Sequence, residues 1–90
     1  MAARQVFYEG RVQGVGFRYT ARNVAKGFDV TGWVRNLTDG RVEMHVCGDT
    51  GEVDAFLTAI AESELNAHIR KTEQHDIPPF TDVKGFEIRH

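Results

Sequence analysis

The sequence predicts an α+β fold: a ferredoxin-like β-α-β-β-α-β sandwich, with two helices on one face of a mostly antiparallel sheet and a short fifth C-terminal strand. Three observations lead there. Two segments carry apolar residues at helical spacing, and the segments around them alternate with a period of two. A turn signal joins two of the alternating segments into a hairpin. The order sets each helix between strands, which suits helices packed on one side of a sheet.

The first strand is expected over residues 5–12, with Val6 and Tyr8 on one face. A glycine-rich turn follows, Gln13-Gly14-Val15-Gly16. A helix is expected from about Phe17 to Lys26, because Phe17, Ala21, Val24, Ala25 and Phe28 recur at helical spacing and Gly27 is a suitable stop. Residues 29–36 return to strand character, with Val30, Gly32 and Val34 alternating against Thr31, Trp33 and Arg35. Thr38-Asp39-Gly40 signals a hairpin into a strand over 41–47, with Val42, Met44 and Val46 on one face. A second helix is expected from Asp49 and Thr50 to about Leu65, its stripe formed by Val53, Phe56, Leu57, Ile60 and Ala61. Asp49 and Glu52 resemble a capping box. Residues 67–76 read as a weak strand broken by Pro78-Pro79, and Gly85-Phe86-Glu87-Ile88-Arg89 closes the chain as a short strand. No internal repeat at a fixed period is evident.

Ninety residues make one domain, 1–90, with room for one core. Eleven Lys and Arg stand against 13 Asp and Glu, which argues against a strong hold on a nucleic-acid backbone. A local anion site needs only a few donors and remains compatible with this balance. Cys47 is the only cysteine, so no internal disulfide is possible. No signal-like stretch follows the N-terminus, and no run approaches the roughly 20 apolar residues of a membrane span. A cytoplasmic protein with no membrane and no nucleic-acid partner, acting as a monomer, is the expectation.

The chemistry concentrates in Gly10-Arg11-Val12-Gln13-Gly14-Val15-Gly16-Phe17-Arg18. Glycines let successive backbone N–H groups converge, and the segment leads into a helix N-terminus. Free N–H groups and the positive end of the helix dipole both suit a phosphate there. Arg18 sits in the first helical turn, where a cation is mildly unfavourable unless a bound dianion accompanies it. Neither ATP nor NAD is implied. The Walker loop ends in Gly-Lys-Ser/Thr, whereas this one ends in Gly16-Phe17-Arg18, and the dinucleotide fingerprint needs glycine where Tyr19 stands.

Topology adds Asn36. A strand-helix-strand crossover runs its second strand parallel to its first, so the end of the 29–36 strand reaches the same sheet edge as the loop. The Asn36 amide offers an acceptor and donors but cannot act as a base; it can hold a water.

At these residues the chain resembles the acylphosphatase family. Val12-Gln13-Gly14-Val15-Gly16-Phe17-Arg18 is similar to the family's phosphate loop, Gly32-Trp33-Val34-Arg35-Asn36 to its second motif, and Gly85-Phe86-Glu87-Ile88-Arg89 to its C-terminal strand. The similarity runs from about residue 5 to 89 and is weakest between Ser63 and Lys84. It implies a ferredoxin-like fold and hydrolysis of a small-molecule acyl phosphate with no metal and no cofactor. It further implies Arg18 and Asn36 as the catalytic pair, and the backbone of Gln13, Gly14, Val15, Gly16, Phe17 and Arg18 as the phosphate cradle. The family's loop also opens large hydrogenase-maturation carbamoyltransferases, where proline usually follows the arginine. Tyr19 stands here, which favours the free-standing enzyme.

Other residues read more plainly. Cys47 is expected to be a partly buried small apolar residue, and Trp33 a packing residue. His45, His68, His75 and His90 lack ligand spacing and are expected at the surface. Arg11 and Arg35 are expected as solvated charges, and the Thr38 hydroxyl as a bond within its own turn. A sheet that binds RNA would need more aromatics and a basic surface, beyond Phe7 and Trp33.

Overall fold

The computed structural model describes residues 1–90. Its elements are β1 (Ala2–Gly10), α1 (Phe17–Ala25), β2 (Val30–Asn36), β3 (Val42–Gly48), α2 (Thr50–Glu62), a short 3-10 turn (Glu64–His68), β4 (Ile69–Ile77) and β5 (Phe86–Arg89). The sheet order is β4-β1-β3-β2-β5. β1 pairs antiparallel with β3 and β4, and β2 pairs antiparallel with β3. β2 and β5 run parallel, so the C-terminal strand ends beside the end of β2, with Arg35 opposite Arg89.

The two faces of the sheet follow from alternation. Val6 and Tyr8 of β1, Val34 of β2, and Val42, Met44 and Val46 of β3 all belong to one buried cluster with Phe17, Ala21 and Ala25 of α1 and Val53, Phe56, Leu57 and Ile60 of α2. Val6, Val34, Val42, Met44, Val46 and Phe56 are wholly inaccessible. Each such side chain stabilises the fold by about 1.5–3 kcal/mol relative to exposure. This ferredoxin-like core leaves the opposite sheet face free of helices. No helix is long and apolar enough to cross a membrane.

Several boundaries differ from the sequence expectation, each for a local reason. β1 stops at Gly10 because its register against β4 shifts between Glu9 and Gly10; Val12 leaves the sheet and buries itself at the root of the loop. α2 stops at Glu62 although its apolar stripe continues to Leu65. Ser63 turns extended, donates its hydroxyl to the Ile60 carbonyl and accepts from the Leu65 N–H, which starts the 3-10 turn. β4 covers 69–77 and ends at Pro78. The capping box is half formed. Asp49 accepts from the Gly51 N–H at 3.1 Å, but Glu52 turns outward to the Asp29 N–H at 2.8 Å and ties α2 to the start of β2.

The helix-free face is more ordered than a solvated surface. Glu43 is buried there and accepts from Gln5 at 2.8 Å, from Arg35 at 2.9 Å and from His45 at 3.0 Å. Burial alone would raise its carboxyl pKa; the Gln5, Arg35 and His45 hydrogen bonds outweigh that and hold it below the ordinary range. Trp33 stacks on His45 at 4.2 Å, with the Arg35 and Arg89 guanidinium groups over its ring at 5.2 and 4.9 Å. Arg35 is thus a paired charge rather than a free one, and His45 is half-buried. His68 is half-buried as well, while His75 and His90 are exposed. Cys47 is fully buried, beyond the partial burial expected of it.

Candidate active site

The loop between β1 and α1 is anchored at both ends by apolar burial. Val12 is wholly buried, and Phe17 packs its ring 4.9 Å from that of Tyr8. Between them Gly14 and Gly16 take φ values of 77° and 78°. A Cβ built on either would meet nothing within 4 Å, so glycine is required by backbone conformation rather than by crowding. Two left-handed residues flanking Val15 curl the chain so that it enters α1 with its N–H groups outward.

Those N–H groups are the main feature of the site. Gly16 is the N-cap of α1, no side chain caps the helix, and no acid lies in its first turn. The first backbone N–H of this region to find a carbonyl is Thr20, at 3.0 Å from the Gly16 oxygen. The N–H groups from Gln13 to Tyr19 donate to no acceptor within the chain. A helix start carries the equivalent of about half a positive charge, and here no side chain caps it; the nearest carboxylate contact in its first turn is Glu64, which accepts from the Thr20 hydroxyl at 3.4 Å. Arg18 adds a full one.

The Arg18 guanidinium is half-buried and held from one side. Its Nη1 donates to the Arg89 carbonyl at 3.2 Å and lies 3.1 Å from the His90 ring Nδ1. Both partners come from β5 and its end, which the parallel pairing with β2 brings to this edge. Nη1 is thereby committed, while Nε and Nη2 have no acceptor in the chain and keep the planar fork that matches two phosphate oxygens.

Asn36 ends β2, half-buried, on the same face of that strand as Val34. It lines one cleft of about 220 Å³ together with Gly14, Gly16, Arg18 and Tyr19, over a floor of Val12 and Phe17. The Gln13 side chain crosses beside it. Its Nε2 donates to the Leu37 carbonyl at 2.7 Å and to the Arg41 carbonyl at 3.0 Å, fastening the loop to the turn that begins just after Asn36. That turn closes through Leu37 N–H to Arg41 oxygen at 2.8 Å and through Asp39, whose carboxylate takes the Arg41 N–H at 3.1 Å and side chain at 2.9 Å. The Thr38 hydroxyl makes no bond in it.

Arg18, Asn36 and the glycines of the loop therefore meet in one cleft, Val15 sits on the loop crest between the two glycines, and Arg11 and Arg35 stand apart. No three His, Cys, Asp or Glu side chains converge to hold a metal ion. Sequence reasoning missed three contributors: the Gln13 amide, the Arg89–His90 support of Arg18, and Tyr19 in the wall. The crossover that placed Asn36 also brings Leu37 within reach of Gln13. The partner of β5 had no comparable signal.

Fold and site define a ferredoxin-like α+β domain whose cleft gathers open backbone N–H groups and the Arg18 guanidinium at one helix start. The chain matches the Acylphosphatase family model over residues 4–88 and belongs to the acylphosphatase family of hydrolases. It is 38% identical over 82 residues to an acylphosphatase of Legionella pneumophila, covering 91% of this chain and 89% of that one. An acylphosphatase of Rubrobacter xylanophilus is 41% identical over 85 residues, covering 94% and 77%. The crystal structure of acylphosphatase from Bacillus subtilis superposes with a TM-score of 0.89 at 29% identity over the whole of both chains.

Proposed function

We propose that this enzyme hydrolyses acyl phosphates by in-line attack of a water positioned by Asn36 on a phosphoryl group held by the 12–18 loop and Arg18. The observation that carries the proposal is the run of unsatisfied N–H groups from Gln13 to Tyr19, sharing a cleft with the open side of the Arg18 guanidinium and with Asn36.

An acyl phosphate is a mixed anhydride with a carboxylate leaving group, so positioning and charge stabilisation suffice for its hydrolysis. The phosphoryl group spreads negative charge over its outer oxygens as it transfers. Backbone N–H groups and Arg18 meet that charge. The water oxygen forms a bond to phosphorus as the bond from phosphorus to the carboxylate oxygen breaks. The bonding pair leaves with the carboxylate, and the water's proton passes to a phosphate oxygen. No protein base and no metal enter this scheme.

The test is hydrolysis of benzoyl phosphate by the purified protein with a chelator present, beside a simple phosphate monoester. Turnover of the anhydride, with little action on the monoester, is expected. Activity that vanishes with chelator and returns with zinc or magnesium overturns the metal-free mechanism.

A further inference from the structure

We propose that Tyr19 is the surface that receives the acyl group, and that it selects flat, aromatic acyl phosphates over small aliphatic ones. The proposal rests on the hydrolysis proposed above and adds the substrate class.

Apolar exposure on this molecule is not scattered. Only Met1, Val15 and Tyr19 are large apolar residues left exposed, and two of them belong to the loop and first helical turn. Tyr19 is 64% exposed and lines the cleft. The other walls offer an acyl group little. Val12 and Phe17 form the floor but are almost wholly buried, Gly14 and Gly16 have no side chain, and Arg18 and Asn36 are polar.

In-line displacement fixes the direction of departure. Water attacks from one side of phosphorus and the carboxylate leaves from the other. With Asn36 on the water side, the leaving group points away from it. Tyr19 lines the same cleft as Arg18 and Asn36, and its ring is the one exposed large apolar surface there for a departing acyl group to meet.

The ring is oriented rather than free. Arg22, three residues on and hence on the same helix face, places its guanidinium carbon 5.0 Å from the ring centroid. The Arg22 Nε is buried with no acceptor, so the ring is the partner that this group has. A guanidinium over the ring leaves the rest of its surface for a planar group. Benzoyl is wide enough to stack there. Acetyl has a single methyl and gains little.

The experiment measures kcat/KM for benzoyl phosphate and acetyl phosphate in wild type, Tyr19→Ala and Tyr19→Phe, with inhibition by inorganic phosphate on the same samples. The benzoyl-to-acetyl ratio should fall about 3- to 10-fold in Tyr19→Ala, the size of an aromatic stacking contribution, and return in Tyr19→Phe. Phosphate has no acyl group, so its inhibition constant should move by less than about twofold. An unchanged ratio, with both substrates still hydrolysed, overturns the acyl-surface role and leaves the reaction standing. Equal losses on both substrates with weakened phosphate inhibition assign Tyr19 to the phosphate cradle and also overturn it. A wild-type protein that hydrolyses neither substrate removes the reaction itself, and this proposal with it.

Discussion

The two helices begin in opposite ways. α2 closes its own start: Asp49 accepts the Gly51 N–H, and Glu52 places a negative charge in the first turn. α1 leaves its start open, with glycine at the cap, no acid in the first turn, and Arg18 adding positive charge where the dipole is already positive. Both helices pack on the same sheet and contribute to the same core. On the function proposed above, the difference lies in what each terminus is for. A helix that only has to be stable satisfies its donors internally. One that has to bind an anion keeps them free and accepts a small loss of stability. Substitutions at the α1 end should then change activity far more than stability, and substitutions elsewhere the reverse.

The largest effect is expected at Arg18. Removing one well-placed donor to a transition-state charge commonly costs about 10²–10³ in rate, and a guanidinium on the phosphate should cost at least that. Arg18→Ala should lose turnover and phosphate inhibition together while remaining folded, since it gives up only bonds to Arg89 and His90. Near-normal phosphate inhibition in this variant would place the anion elsewhere. Asn36→Ala separates binding from chemistry. Turnover should fall about 10²-fold with phosphate affinity kept, because a group used only in the transition state lowers kcat alone. Steady-state kinetics beside calorimetric phosphate titration reads both. Parallel loss of affinity and rate would make Asn36 a ligand-gripping residue.

How much of this contrast was legible beforehand depends on the kind of contact. Short-range patterning was legible: the apolar spacing from Phe17 placed α1 to within one residue at its C-terminal end, and Pro78 ended β4 as expected. The meeting of Arg18 and Asn36 was also legible, because the crossover rule converts sequence order into a shared sheet edge. Competing local bonds were not. Leu65 extended the apolar stripe, but the Ser63 hydroxyl stopped α2 first. Glu52 stood at the capping-box position and found the Asp29 N–H instead. Long-range side-chain partners were least legible. Nothing in the spacing of Gln5, Arg35, Glu43 and His45 says that all four meet, because that needs the register of three strands at once.

Glu43 supplies the middle-sized effect and tests the comparison from the opposite face. Here a charge is buried and its partners are all internal, so stability should carry the cost. Glu43→Gln leaves Arg35 and His45 without their carboxylate and should lose about 1–3 kcal/mol at neutral pH. Its pH dependence has a definite sign. The folded carboxyl is held below its ordinary value of 4.5, so its contribution is complete above that value and disappears as pH falls through the depressed folded pKa. Denaturant melts of wild type and Glu43→Gln should therefore converge in strongly acidic buffer. Asp39 and Glu73 also have lowered pKa values, but both variants carry them and the difference cancels them. A gap that stays constant from pH 7 to strong acid would show that the carboxylate charge is not what stabilises this face.

The smallest effect is expected at Asp49, and it bears most directly on the two helix starts. Asp49→Ala removes the bond to the Gly51 N–H and the charge beside the α2 dipole. Loss of such a cap costs about 1 kcal/mol, and in a domain of this size that lowers Tm by about 4–8 °C. Asp49 lies after the end of β3, whereas the cleft gathers after the end of β1 and at the end of β2. β3 runs antiparallel to both, so the α2 start is at the opposite end of the sheet. The benzoyl phosphate rate and the phosphate inhibition constant should therefore stay at wild-type values. Thermal melts and kinetics on one preparation read both quantities. A Tm unchanged by the substitution would mean that Asp49 closes nothing and that the two helices start alike. A fall in turnover at unchanged Tm would mean that the α2 start acts on the cleft through the core, and the division between a helix end for stability and a helix end for binding would fail.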